Sequence, residues 1–586
     1  RLLIDARDHI QKEKQQQNGE NAPKSSKELE RRQWMQELRV NAVYCIEVIA
    51  RSVNKDIFEK DSKKVMNILA STQTLLDSGD PTEEKILDAY STISRIIGEN
   101  FGPYLRHVVP PLLRAGVITD DIVKRDSQLQ EDDQKNGYEY FEVSVRGVGT
   151  SVLAINTSKV EDMFNACLRL GEYARGSPKS FNPYLQETVK MICPLIEFKH
   201  SPRVRIPAYQ SVSSLVYCAA TSNRPSAGNA LLVATLPFFN RAAELEEEAD
   251  YLSVLLASIS DSIDEIKQPL DDNSCKLIDN MLVGVLQNCR ERLAEYEGRL
   301  RDKAAVDEQE REEIQESRIG ESKMIGNLNE VIKSLLKNTK NNYLKIFHNR
   351  LLRLYSSFLK DDSNEDLQNA GICCLIDVIE TVGKHQATMQ YSKDLLPLAI
   401  AKSTSKSIDV RHSAVYCIGM CAAMLGAEGF APFYSKAMQG LVKTIESKNE
   451  ADNGPAADNA ISSVGKIAIV MGLKAKKEIL GKWISYLPCK HDVIEAKRIH
   501  SMLCGFLENE SDAKLIYGAN NNNIPKLIST IVAILGNDLA EEAVLKKFTR
   551  ILKNLLQIIG PDGRRRIHGM LNDSKHRAII QRVWES

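Results

Sequence analysis

Glu37-Leu-Arg-Val-Asn-Ala-Val-Tyr-Cys45, Arg203-Val-Arg-Ile-Pro-Ala-Tyr-Gln-Ser211 and Asp409-Val-Arg-His-Ser-Ala-Val-Tyr-Cys417 are three copies of one pattern. Each places an arginine (Arg39, Arg205, Arg411) three residues before an alanine (Ala42, Ala208, Ala414). The arginines are separated by 166 and 206 residues, close to four and five multiples of a unit of about 41. A second landmark, proline followed by a large apolar residue, recurs at Pro111-Leu112, Pro194-Leu195, Pro237-Phe238 and Pro397-Leu398. Its gaps of 83, 43 and 160 fit two, one and four units of similar length.

A period in this range is that of HEAT repeats, in which two antiparallel helices form each unit. Neither helix buries its apolar face alone, so neighbouring units must stack. The expected fold is all-α, a HEAT-repeat superhelical solenoid over 1–586. The alanine of the second helix permits close backbone approach. The arginine near its start can bond carbonyls, or an acid of the inter-helix turn such as Asp409. The prolines fall inside first helices, where they remove one hydrogen bond and kink the rod.

Apolar periodicity of 3.6 predicts helices at about 36–52, 63–76, 83–98, 103–115, 159–175, 183–198, 204–220, 227–243, 250–267 and 274–300. Further helices follow at about 325–337, 341–360, 365–383, 390–402, 408–425, 430–446, 457–471, 475–487, 492–508, 523–536 and 539–559. The pairing expected includes 159–175 with 183–198 and 325–337 with 341–360. Gly98, Gly383, Gly426, Gly472 and Gly560 each follow an apolar run and read as helix stops. Three stretches interrupt the pattern: polar loops near 11–32 and 120–149, and a charged helical extension near 290–323 that frays near Gly320.

Composition sets limits on function. The 586 residues carry 77 basic and 78 acidic side chains, a net charge of −1, so no uniformly basic surface is available to nucleic acid. The twelve cysteines at irregular spacing read as reduced core residues of a cytosolic or nuclear protein. The uncharged stretch Ile206 to Asn223 is broken by polar residues and reads as an amphipathic helix rather than a membrane span. The chain opens on Arg1, as a fragment of a longer chain would. No phosphate loop, zinc-protease helix or serine elbow is present, so no catalytic, metal or cofactor residue is assigned and no enzyme is expected. Cys489, His491, His500 and Cys504 are the one cluster weighed as zinc ligands, and packing is the favoured reading. Beyond residue 543 the chain is basic, with Arg564-Arg-Arg566 at its centre. Glu244, Glu246, Glu247, Glu248, Asp250, Asp261, Asp264, Glu265, Asp271 and Asp272 form an acidic segment that reads either as an exposed helix face and turn or as a surface suited to Lys/Arg-rich peptides.

The run Pro455-Ala-Ala-Asp-Asn-Ala-Ile-Ser-Ser-Val-Gly-Lys-Ile467 resembles a repeat of the importin-β superfamily. So do Lys482-Trp-Ile-Ser-Tyr-Leu-Pro488, Glu495-Ala496, Leu503-Cys504, Asn520 to Leu527, and the aromatic-acidic Gly137-Tyr-Glu-Tyr-Phe141. Together they are similar to the karyopherin-β3 (importin-β3) branch, in order over nearly the whole chain. The resemblance implies the C-terminal half of a nuclear transport receptor that shuttles between cytoplasm and nucleus. It implies as partners cargo with Lys/Arg-rich signals, Ran in its GTP form and phenylalanine-glycine nucleoporins, with no membrane and no direct nucleic acid. Receptors of this class tend to be acidic, whereas this chain is neutral. A non-transport HEAT scaffold that assembles protein complexes is the alternative.

Candidate partner-binding residues come from helix geometry. With Val410, Ala414, Cys417 and Ile418 facing the core, the opposite side presents His412, Tyr416 and Gly419. The same frame exposes Asp458 and Ser462 on the neighbouring helix, and Asp250, Asp261 and Glu265 on the acidic one.

Overall fold

Side-chain caps start the helices at the places where the chain must turn. Asp80, Asn156, Asn364, Ser407 and Asp492 each accept a hydrogen bond from a backbone N–H two or three residues ahead, satisfying one otherwise orphaned donor. The five glycines read as stops all have positive φ, between 60° and 74°, a region closed to most side chains. In the computed structural model the described residues are 4, 8, 26–77, 80–120, 122–125, 137–145, 149–221, 226–301, 306–361, 364–447, 453–571 and 573–585. They fall into two units: residues 1–289 with 307–346, and residues 290–306 with 347–586.

The helices are α1 (Ser26–Ser52), α2 (Lys55–Gln73), α3 (Pro81–Ile97), α4 (Gly102–Ala115), α5 (Thr157–Gly176), α6 (Leu185–Ile196), α7 (Pro202–Thr221), α8 (Ser226–Leu245) and α9 (Ala249–Glu265). They continue with α10 (Asp272–Arg301), α11 (Glu308–Asn338), α12 (Leu344–Asn349), α13 (Leu351–Phe358), α14 (Glu365–Val382), α15 (Gln386–Lys402), α16 (Ile408–Phe430), α17 (Tyr434–Ile445) and α18 (Gly454–Met471). The last are α19 (Leu473–Trp483), α20 (Val493–Glu508), α21 (Glu510–Tyr517), α22 (Ile524–Gly536), α23 (Glu542–Ile558), α24 (Gly560–Met570) and α25 (Ser574–Glu585).

Pairs of first (A) and second (B) helices stack as HEAT repeats require. In the first unit the pairs are α2/α3, α4/α5, α6/α7 and α8/α9, and the B helices α1, α3, α5, α7, α9 and α11 pack one on the next. In the second unit α13/α14, α15/α16, α17/α18 and α22/α23 pair, and α14, α16, α18, α20 and α23 form the corresponding B row. Pro111, Pro194, Pro237 and Pro397 all lie inside A helices.

The signature arginines hold successive repeats together. Buried Arg39 bonds Asp80, the cap of the next B helix, at 2.7 Å. Arg205 makes a two-pronged pair with Glu246 at 2.6 and 2.8 Å, and Tyr209 donates to the same carboxylate at 2.6 Å. Arg411 bonds Asn453 at 2.9 Å and also the carbonyls of Ser405 and Lys406. The turn carbonyls match the expectation. The polar partner does not: it is one repeat downstream rather than Asp409, because the arginine leaves its helix toward the following unit. Close approach is set by glycine as well as by the signature alanines. A Cβ on Gly171 or Gly419 would meet the facing serine, Ser211 or Ser463, of the next B helix. Those serines donate to the carbonyls of Cys167 and Val415 at 2.7 and 2.6 Å.

Several expectations change. The segment near 120–149 includes strands β1 (Val123–Arg125) and β2 (Tyr138–Val145), which flank β3 (Gly149–Asn156) in an antiparallel sheet of order β1-β3-β2. The Tyr138–Val145 run of aromatic and β-branched residues favours extended backbone. This sheet sits between α4 and α5, so residues 159–175 pair backward with 103–115 instead of forward with 183–198. Of the loop near 11–32, residues 11–25 lie outside the described residues and the remainder opens α1. Of the charged segment near 290–323, residues 290–301 lie in α10 and 308–323 in α11, and α11 continues through Gly320 unbroken. Residues 325–337 are therefore the C-terminal part of α11 and not a first helix opening a pair.

Arg205→Ala should lower stability by about 3–5 kcal/mol, since it strands Glu246 inside the repeat seam. Arg203→Ala, which removes an exposed pair with Glu161, should cost less than about 1 kcal/mol. Thermal melts of the two variants check the contrast, and equal losses would contradict the seam assignment.

Candidate functional site

The B rows carry the polar side chains expected to meet a partner. On α9, Asp250 and Asp261 are exposed, as expected. Glu265 is half-buried and accepts a hydrogen bond from Arg175 of α5 at 2.7 Å. Burial, then the neighbouring Asp264, raises the Asp261 carboxyl above the usual aspartate range. Glu246 leaves the acidic surface, because its carboxylate is consumed by Arg205 and Tyr209. Glu244, Glu247, Glu248 and Asp264 remain exposed beside it in sequence.

In the second unit the helix frame holds for two residues and fails for three. His412 and Tyr416 are half-buried on α16. His412 Nε2 is 2.6 Å from the Asn459 amide and 3.7 Å from Asp492. Tyr416 donates to Glu380 of α14 and accepts from Arg498 of α20 at 3.1 Å, with the Lys466 ammonium 4.5 Å from its ring centroid. Burial and the bond to Glu380 raise the Tyr416 hydroxyl. Gly419 is buried against Ser463. Asp458 is buried too: one carboxylate oxygen accepts from the backbone N–H groups of Lys490, His491 and Asp492, shaping the loop ahead of α20. Ser462 is fully buried and donates to Glu495. The frame fails at these positions of α16 and α18 because a B helix is covered by its A helix and by both B neighbours, which leaves only a narrow outward strip.

Glu495 anchors a network that sequence reasoning missed. It accepts from Lys466 at 2.9 Å and Arg498 at 3.1 Å as well as from Ser462. Burial pushes its carboxyl up, but Lys466, Ser462 and Arg498 outweigh that and hold it below the usual glutamate range. Through Tyr416 and Glu380 the network ties α14, α16, α18 and α20. Arg175 plays a similar part in the first unit, with its guanidinium 4.8 Å from the Tyr217 ring centroid. A usable signal was the period: Arg175 and Tyr217 are one repeat apart, so the stack brings them together.

Nucleophile and metal chemistry find little to work with. Burial pushes the thiols of Cys167, Cys218 and Cys275 up to about 12, far from a thiolate at neutral pH. His500 has both ring nitrogens engaged, Nδ1 on the Leu539 carbonyl at 2.7 Å and Nε2 accepting the Cys489 N–H at 3.3 Å. Neither nitrogen has a lone pair for zinc. Among the described residues no group of three His, Cys, Asp or Glu side chains is placed to hold a metal ion.

Comparison with known proteins finds similarity to karyopherins. Residues 251–361 match the Importin repeat 6 family model. Importin subunit beta-3 of Saccharomyces cerevisiae is 25% identical over 515 residues, covering 85% of this chain and 45% of the relative. A Dictyostelium discoideum protein described as a probable importin-5 homolog is 23% identical over 506 residues, covering 81% of this chain and 44% of its own length. The chain thus spans less than half the length of the curated relatives it matches. In fold it is similar to the karyopherin Kap121p bound to the SUMO protease Ulp1p, with a TM-score of 0.68 and 21% identity. That match covers 94% of this chain and 48% of the other. Kap121p bound to Nup53p superposes with a TM-score of 0.66 at 20% identity, over 93% and 47% of the two chains.

Two measurements separate structural from surface roles. Asp458→Ala should cost at least about 2 kcal/mol, because three backbone donors lose their acceptor, while Asp250→Ala should shift stability by less than about 0.5 kcal/mol. Burial depresses the His500 pKa below 6.5, so the unfolded chain binds the proton first as pH falls. The His500 contribution is complete above about 6.5 and is lost as pH drops through the folded value. Melting temperature should therefore fall less between pH 7.5 and 5.5 in His500→Asn than in the wild type.

Proposed function

We propose that this chain, a relative of the importin-β karyopherins in sequence and fold, serves as part of a nuclear transport receptor. The observation that carries the reading is the alignment with importin subunit beta-3 through 85% of the chain, over repeats whose B row is continuous within each unit. Cargo with Lys/Arg-rich signals binds the acidic strip of α9, where Asp250 and Asp261 stand exposed and Glu265 is half-exposed. In the second unit His412 and Tyr416 supply the equivalent outward contacts, while Asp458 and Ser462 act beneath them as supports.

The transport cycle follows from linkage. Cargo and Ran in its GTP form must bind with opposing preferences, since only a difference in affinity between states shifts an equilibrium. A stack of repeats suits this, because small changes at each seam add along the array. Passage through the pore requires contacts with phenylalanine-glycine nucleoporins. A pocket beside α13 and α15 of the second unit, lined by Leu352, Leu359, Tyr391, Pro397 and Leu398, offers an apolar seat for a phenyl ring. The receptor shuttles between cytoplasm and nucleus.

The near-zero net charge favours a second reading, a HEAT scaffold that assembles protein complexes without Ran. Capture of the protein by Ran locked with GTP, together with displacement of a bound basic cargo, is the expected result. Absence of any GTP-dependent capture would support the scaffold. Charge reversal of Asp250, Asp261 and Glu265 to lysine should weaken basic-cargo binding at least about tenfold. Unchanged binding of every basic cargo would remove α9 from the cargo surface.

A further inference from the structure

Three consecutive B helices of the first unit, α5, α7 and α9, bring their C-terminal turns together around one cation. Arg175 in the last turn of α5 lays its guanidinium 4.8 Å from the Tyr217 ring centroid on α7 and reaches Glu265 of α9 at 2.7 Å. The last turns of α7 and α9 carry no basic residue of their own, so Arg175 is the cation supplied there from α5. Asp261 and Asp264 add exposed carboxylates on the same helix as Glu265. An aromatic face and a carboxylate are the chemistry that recognises a lysine or arginine side chain.

The second unit holds a comparable assembly that is sealed. Lys466 lies over the Tyr416 ring and bonds Glu495, whose side chain is 3% exposed while that of Lys466 is 18% exposed. Removing that lysine would strand a buried carboxylate. In the first unit Arg175 is 49% exposed and Glu265 24%. A half-exposed pair of this kind contributes little to stability, and its long side chain swings into water at small cost.

We infer that Arg175 is an internal stand-in for a partner's cation: it fills a cage of Tyr217 and Glu265 that takes a Lys or Arg side chain of a basic peptide once Arg175 swings out. The inference deepens the cargo reading and rests on it for the class of ligand. Occupation in cis lowers affinity for weakly basic sequences, because a partner must displace a side chain already bound. A peptide that brings several cations displaces it readily, so the cage discriminates by charge density.

The test is anisotropy titration of a fluorescein-labelled octalysine peptide against the chain, Arg175→Ala, Arg175→Gln, and Arg175→Ala with Glu265→Gln. Vacating the cage should tighten binding at least about threefold in both single variants, and the added Glu265→Gln should abolish that gain. Unchanged or weaker binding by the single variants, no binding by any protein, or a gain that survives Glu265→Gln would overturn the inference. Thermal melts of the same proteins show whether the variants remain folded. Failure of this gain beside intact capture by GTP-locked Ran sinks the cage alone. A gain without Ran capture sinks the transport reading and leaves the cage.

Discussion

The constraint on which the stack depends is a contact seen at three seams: an arginine of one B helix reaching the cap or the preceding turn of the next B helix. Arg39 with Asp80 and Arg205 with Glu246 are each 41 residues apart, and Arg411 with Asn453 is 42. The stability of a repeat array is roughly a sum over units and nearest-neighbour seams, so each such contact strengthens the seam that it spans. A buried guanidinium tolerates few arrangements, because each of its donors needs an acceptor. Arg205 meets that demand with two carboxylate oxygens and the Phe198 carbonyl, while Tyr209 caps the same carboxylate. Such a contact fixes the rotation of one unit on the next, which apolar packing alone leaves loose.

Much of this was legible before any coordinates. The period was visible because three arginine signatures and four prolines are spaced by it, and the glycines read as helix stops do adopt positive φ. The partners of the arginines were not legible from local sequence, since Asp80 and Glu246 are distant and each looks like an ordinary turn acid. They become predictable once the period is used as a ruler. The phase was lost between 103 and 198 because a strand insert separates the helices of one repeat, and a 3.6-residue periodicity carries no information about which neighbour a helix pairs with.

The outward-facing residues were harder to read. A single-helix frame has one buried side, which is adequate for an isolated amphipathic helix. A B helix in an array has three. Gly419 and Ser462 occupy seams that the frame treats as surface. Asp458 shows a further limit, because its role is defined by three backbone donors at 490–492 that no helix projection contains. His412 and Tyr416 escape burial only as members of networks with Asp492, Glu380 and Arg498. Partner-facing chemistry in this architecture is thus made of clusters that span several B helices, not of single exposed side chains.

Net charge takes a different meaning in that light. A value of −1 counts Arg39 against Asp80 and Arg205 against Glu246, pairs sealed inside seams where they contribute almost nothing to the outer field. What a partner meets is the remainder: exposed acids at the turn before α9 and along that helix, and a basic run from Lys546 to Arg582 at the other end of the sequence. Acid at α9 is partly masked by Arg175, a cation that adds to the sum while paired with Glu265. A neutral total is therefore compatible with a locally acidic strip along α9, and the pairing of Arg175 with Glu265 sets how much of that charge stays uncompensated.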